Sequence, residues 1–80
     1  MQLEPVTVNG KEYTFSYEII KNSDYERIKM YAHHDGETKT LKAEYTKQLF
    51  EDLKRVNGLD FETELKNILY TEIIKELERL

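Results

Sequence analysis

The chain has 80 residues, enough for one domain, and no cysteine, so disulfides, thiolate nucleophiles and cysteine-ligated zinc are excluded. Hydrophobic residues make up 39% and charged residues 35%, with six Tyr and three Phe, which suffices for one apolar core. The net charge of −4 is shared evenly between the two halves, so neither a basic arm for nucleic acid or anionic lipid nor an acidic tail is present.

Two dipeptides punctuate the first half. Asn9-Gly10 and Asp35-Gly36 are two-residue hairpin signals, because a type I′ turn needs positive φ at both central positions. They predict strands over about 3–8, 11–20, 25–34 and 37–41. Around the first turn Val8 faces Lys11, Val6 faces Tyr13 and Glu4 faces Phe15. Lys21-Asn22-Ser23-Asp24 reads as a four-residue loop, which places Ile20 opposite Tyr25, Tyr17 opposite Ile28 and Phe15 opposite Met30. The same register sets Glu18 against Arg27, Ser16 against Lys29 and Thr14 against Tyr31 on a polar face. The other face is apolar, built from Val6, Tyr13, Phe15, Tyr17, Ile28, Met30 and Ala32. At the second turn His34 faces Glu37, Ala32 faces Lys39 and Met30 faces Leu41. The fourth strand is short and polar, which suits an edge, as does Pro5 in the first.

The period then changes. Leu41, Tyr45, Leu49, Leu53 and Val56 recur at three or four, with Phe50 beside them, and predict a helix over about 43–57. Asn57-Gly58 ends it, and Asp60 is a suitable N-cap for a second helix over about 60–80. The reading is one α+β domain over residues 1–80: a three- to four-stranded antiparallel meander, then an antiparallel helix pair on one face of the sheet.

The last helix carries an apolar arc of roughly 240° from Phe61, Leu65, Ile68, Leu69, Tyr70, Ile73, Ile74, Leu77 and Leu80, where a helix on a sheet needs little more than about 100°. Burial on two sides by sheet and first helix would use it. So would contact with a second chain through Tyr70, Ile73, Ile74 and Leu77, giving a homodimer.

Catalytic chemistry finds little support. His33 and His34 are adjacent on a strand and point to opposite faces, so they cannot converge on one metal ion. Ser16 and Ser23 sit mid-strand and in a loop, with no nucleophile-elbow pattern. Gly10, Gly36 and Gly58 are turn or cap residues rather than a phosphate loop. Helix carboxylates stand beside basic residues at i,i+4, as in Glu51–Arg55 and Glu62–Lys66, and read as surface ion pairs. The open sheet face gathers Arg27, Lys29, Tyr31 and His33 with Thr14 and Thr40, the minimal form of a stacking platform for single-stranded nucleic acid, but Glu18, Glu26 and Glu37 lie close by.

Phe, Tyr, Met, Ile, Asn and Lys outnumber Gly, Ala, Arg and Pro by 30 to 9, the usage of an AT-rich genome such as that of a low-GC bacterium or its phages. The resulting expectation is a non-enzymatic protein-interaction module without a cofactor. It would act as an inhibitor or adaptor on an unidentified protein partner, akin in size and charge only to small acidic phage inhibitors. The alternatives are a nucleic-acid module using the open sheet face, and a small ligand-binding or enzymatic subunit with its site across a dimer interface. No apolar run approaches a membrane span and no signal pattern opens the chain, so the expected compartment is the cytoplasm, or the host cytoplasm for a phage protein.

Overall fold

The computed structural model describes residues 3–58 and 60–80. Four strands, β1 (Val6–Val8), β2 (Lys11–Lys21), β3 (Tyr25–His34) and β4 (Glu37–Thr46), form one antiparallel sheet in the order β1-β2-β3-β4. Two helices follow, α1 (Lys47–Asn57) and α2 (Phe61–Glu78), and both pack against the sheet, as expected for the α+β class. The two hairpin turns have the predicted geometry: Asn9 and Gly10 have φ of 52° and 78°, and Asp35 and Gly36 have 48° and 80°.

The pairings next to these turns are those the sequence implied, with Val8 on Lys11, Val6 on Tyr13, His34 on Glu37 and Met30 on Leu41. The middle pairing is not. Phe15 faces Ala32, Tyr17 faces Met30, Ile19 faces Ile28 and Lys21 faces Glu26, two residues away from the expected register. The loop is tighter than a four-residue turn over 21–24. The Asn22 N–H donates to the Tyr25 carbonyl at 3.1 Å. The Asn22 side-chain oxygen accepts from the N–H groups of Asp24 and Tyr25 at 2.8 and 2.9 Å. This self-bonded Asn draws Lys21 into the ladder. A slip of two preserves which side chain points to which face, so the residues read as apolar keep their face, while Glu26, read beside the open face, turns inward with them.

Three boundaries also move. β1 begins only at Val6, so Pro5 precedes it, and Glu4 is not a ladder partner of Phe15. β4 runs to Thr46 rather than 41, and α1 starts at Lys47 rather than 43. Leu41, Ala43 and Tyr45 alternate along β4 and turn their side chains toward the core. The Thr46 hydroxyl then accepts from the Leu49 N–H at 3.2 Å and starts the helix. Asp60 sits at the N-cap of α2 as expected, but its side chain makes no capping bond. Gly58, at φ 92°, closes α1 by donating its N–H to the Lys54 carbonyl at 2.8 Å.

The core is the seam between α2 and β3. Phe61, Leu65, Leu69, Ile73 and Leu77, each four residues apart, lie buried against Ile28, Met30 and Ala32. Asn9 donates to the Leu77 carbonyl at 3.3 Å and Lys21 meets Glu62 at 3.3 Å, so α2 spans the sheet from one end to the other. α1 contributes Phe50, whose ring lies 5.6 Å from that of Phe61. β3 supplies the centre of the core, and Phe15 of β2 is only partly buried.

Two stability results are expected in urea melts. Met30→Ala, at a fully buried site, costs ~2–5 kcal/mol and exceeds Phe15→Ala. Thr46→Ala costs about 1 kcal/mol through the lost cap, whereas Asp60→Ala changes stability by only a few tenths.

Candidate functional site

The open sheet face brings Arg27, Lys29, Tyr31 and His33 into one row, because alternate residues of β3 share a face. Each row member except Lys29 is already engaged. Arg27 pairs with Glu44 of β4, not with Glu18 as the sequence suggested, and its guanidinium lies 5.0 Å from the Tyr25 ring centre. The bond to Glu44 raises the Arg27 pKa, against a smaller opposing effect of desolvation. Tyr31 donates its hydroxyl to the Glu18 carboxylate at 3.0 Å and stacks on His33 at 6.0 Å. His33 bridges the hydroxyls of Ser16 (2.8 Å) and Thr38 (3.2 Å). Lys29 faces Lys42 on β4 and Glu18 on β2. The face is therefore a mixed lattice of acid, base and hydroxyl rather than a positive strip, and its Tyr edge is occupied. His34 turns to the other face, as expected, and its ring lies 5.2 Å from Tyr13.

Of the four residues expected to face a second chain, two lie buried within the fold and two are partly buried. Ile73 and Leu77 are 0% and 2% exposed. Tyr70 packs edge-on against Phe15 at 4.9 Å and donates to the Glu4 carbonyl at 2.8 Å. Burial first, and the Glu4 charge second, push its pKa up. Ile74 is partly buried against the core. The apolar residue that α2 leaves open is Ile68, Leu80 lies exposed just past its end, and α1 leaves Leu49 and Val56.

Sequence reasoning missed a charged cleft at the loop end of the sheet. Glu26 alternates with Ile28, Met30 and Ala32, and that parity alone turns it inward. It is 3% exposed; one carboxylate oxygen lies 3.7 Å from Lys47 Nζ and the other has no hydrogen-bond partner among the described residues. Lys21, Lys47 and Lys54 with Glu26, Glu51 and Glu62 surround Phe50 around a space of about 150 Å³. The charges balance, three against three. The expected helix pairs are replaced. Glu62 reaches Lys21, Arg55 takes Asp52 at 3.1 Å, and Lys66 lies 4.6 Å from the Tyr17 ring centre. Among the described residues no group of three or more His, Asp or Glu side chains is arranged to hold a metal ion, and no helix is long and apolar enough to cross a membrane.

The family of major capsid protein Gp23 matches residues 34–80, which comprise the end of β3, all of β4 and both helices. The chain belongs to this family. It is 42% identical over 45 residues to the major capsid proteins of Vibrio phage KVP40, Enterobacteria phage T6 and Enterobacteria phage T4. The aligned stretch is 56% of this chain, and the chain spans 9% of the length of these curated relatives. No solved structure matches. The composition pointed to a low-GC bacterium or its phages, and the Gp23 match is to phage proteins. Its matched part holds the α2 side of the core seam, and β1 and β2 lie outside it.

Two predictions test this electrostatic layout. Its bond to Glu18, above all, raises the Tyr31 phenol above its ordinary value. A raised folded-state value means that this contribution to stability is present below the unfolded tyrosine pKa and is lost as pH rises through the folded one. Glu18→Gln is expected to move the Tyr31 titration down, read by phenolate absorbance with Tyr31→Phe as the blank. In the cleft, Lys47→Met leaves the buried Glu26 carboxylate without its cation and is expected to cost about 1–3 kcal/mol. Glu26→Met in the same background should recover most of that loss, and urea melts of the double-mutant cycle measure the coupling.

Proposed function

We propose that this chain is a structural component of a phage particle that works by associating with other protein chains, not by catalysis. The observation that carries the reading is the match of β4, α1 and α2 to the major capsid protein family. Nothing in the described geometry argues for chemistry instead. The charged cleft is small and charge-balanced, and the hydroxyls, His and Tyr of the open sheet face bond one another. The proposed place of action is the assembled particle within or outside the host, rather than a free regulator in the host cytoplasm. A protein partner of the same shell is favoured over the inhibitor target that size and charge alone suggested.

The exposed apolar side chains fit such a role. Leu49 and Val56 stand seven residues apart on one face of α1, where an isolated protein would gain nothing from them. Co-expression with the major capsid protein of phage T4, followed by sedimentation of the assembled shells, tests the proposal. The expected result is that the chain pellets with the shells, and that Leu49→Glu combined with Val56→Glu releases it to the supernatant while it stays folded. Shells that pellet without the wild-type chain count against the proposal.

A further inference from the structure

The sheet has an unfinished edge. β1 pairs with β2 only from Lys11 to Tyr13, and the chain before it leaves the sheet: Pro5 precedes the strand, and the Glu4 carbonyl is held by Tyr70 of α2. Beyond Tyr13, no strand among the described residues lies on that side of β2. The two hairpins fix which backbone groups point there. In a two-residue hairpin the flanking residues exchange both hydrogen bonds, so Val8–Lys11 directs Lys11, Tyr13 and every second residue after them toward the β1 side. His34–Glu37 sets the same phase from the other end of the sheet. It leaves Thr14, Ser16 and Glu18 bonded to β3, and the N–H and carbonyl groups of Phe15, Tyr17 and Ile19 aimed at the open edge.

The side chains tell the same story. On the helix face, β3 contributes Ile28, Met30 and Ala32, all at most 2% exposed, while β2 contributes Phe15 and Ile19, only partly buried, and Tyr17, 40% exposed. The cover of α2 thins out at β2. Thr14–Lys21 reads Thr-Phe-Ser-Tyr-Glu-Ile-Ile-Lys. It has no proline, no glycine and no net charge, and its only charged side chains are Glu18 and Lys21. β4, the other edge, is guarded by Glu37, Lys39, Lys42 and Glu44.

We propose that the open edge of β2 is an interface between two copies of this chain, which join antiparallel across a two-fold axis at Tyr17 through Thr14–Ile20, the stretch beyond Tyr13 where β1 no longer holds that edge. The occupant is a second copy because this strand is complementary to itself. A two-fold perpendicular to the sheet keeps the two helix faces on one side, so pairing must join residues of equal parity. Centred on Tyr17, that pairing sets Phe15 against the partner's Ile19 on the apolar face, and Ser16 against the partner's Glu18 and Thr14 against the partner's Ile20 on the open face. No like charges meet. Centred on Glu18, it would set two carboxylates face to face. The Tyr17 register also joins the right backbone groups, since Phe15, Tyr17 and Ile19 are those whose bonds are free. This inference rests on β2, which lies outside the residues matched to the capsid family, and stands independently of the proposed shell role.

Amide hydrogen exchange followed by NMR, with sedimentation over about 1 μM to about 1 mM, tests it on the wild-type chain. The expected result is a dimer in which Phe15, Tyr17 and Ile19 amides become protected as concentration rises, whereas Thr14, Ser16 and Glu18 are protected throughout by β3. Tyr17→Lys places two ammonium groups across the axis and should weaken association at least ~100-fold with an unchanged circular dichroism spectrum. Tyr17→Phe should leave association intact. A monomer at every concentration, with the three amides exchanging freely, overturns the proposal. So does a dimer in which those amides stay unprotected, or growth into open polymers, which would mean β2 pairing with another edge. If Tyr17→Lys fails to fold, the alternating exchange pattern of the wild type still decides.

Discussion

Everything in this fold depends on two repeats that nearly match. Side chains four apart on a helix rise about 6 Å, and side chains two apart on a strand rise about 6.6 Å. Phe61, Leu65, Leu69, Ile73 and Leu77 therefore keep step with Ile28, Met30 and Ala32 along the length of β3. A row at i+4 also advances 40° around the helix at each step, so these five residues wind through about 160°. A helix laid on a twisted sheet follows such a winding contact. The wide apolar arc of α2 is mostly this spiral seam seen end-on. It is no measure of spare surface, and that is why Ile73 and Leu77 lie inside.

How much of this was legible in the sequence depended on what kind of signal each element carried. Asn9-Gly10 and Asp35-Gly36 fix both turn and register, because a two-residue turn permits one pairing. Alternation fixed the two faces of β2 and β3. It could not fix their mutual register, since a slip of two leaves every residue facing the same way, and the closure was set by hydrogen bonds of Asn22 that periodicity does not see. Leu41 and Tyr45 fit a strand and a helix alike. The deciding residue was Thr46, a capping hydroxyl three before Leu49.

The candidate sites were less legible still. The row Arg27, Lys29, Tyr31, His33 was found by parity, but its chemistry depends on neighbours from β2 and β4, and those follow from the register that alternation leaves open. With Glu18 on Tyr31 and Glu44 on Arg27, the row closes on itself. Glu26 escaped notice because a charged residue was read as belonging to the wet face. An end-on arc for α2 pointed to the helix as the adhesive element, whereas the uncovered backbone lies on the opposite side of the hairpin, in β2.

The Asp35-Gly36 turn lies where the similarity to capsid proteins begins, one residue after His34. It joins two parts that touch through ladder bonds, the apolar spacing of β3 and the bonds of Glu4, Asn9 and Lys21 to α2. Backbone ladders are indifferent to side-chain identity, and the spacing asks only for alternate apolar residues. A genetic crossover at this turn would keep the ladder and the spacing while replacing everything upstream, including the three residues that bond to α2. Viewed as a splice point, the hairpin lets the segment shared with capsid proteins accept a different partner sheet, provided that the incoming strand ends in a two-residue turn and offers an apolar residue at every second position.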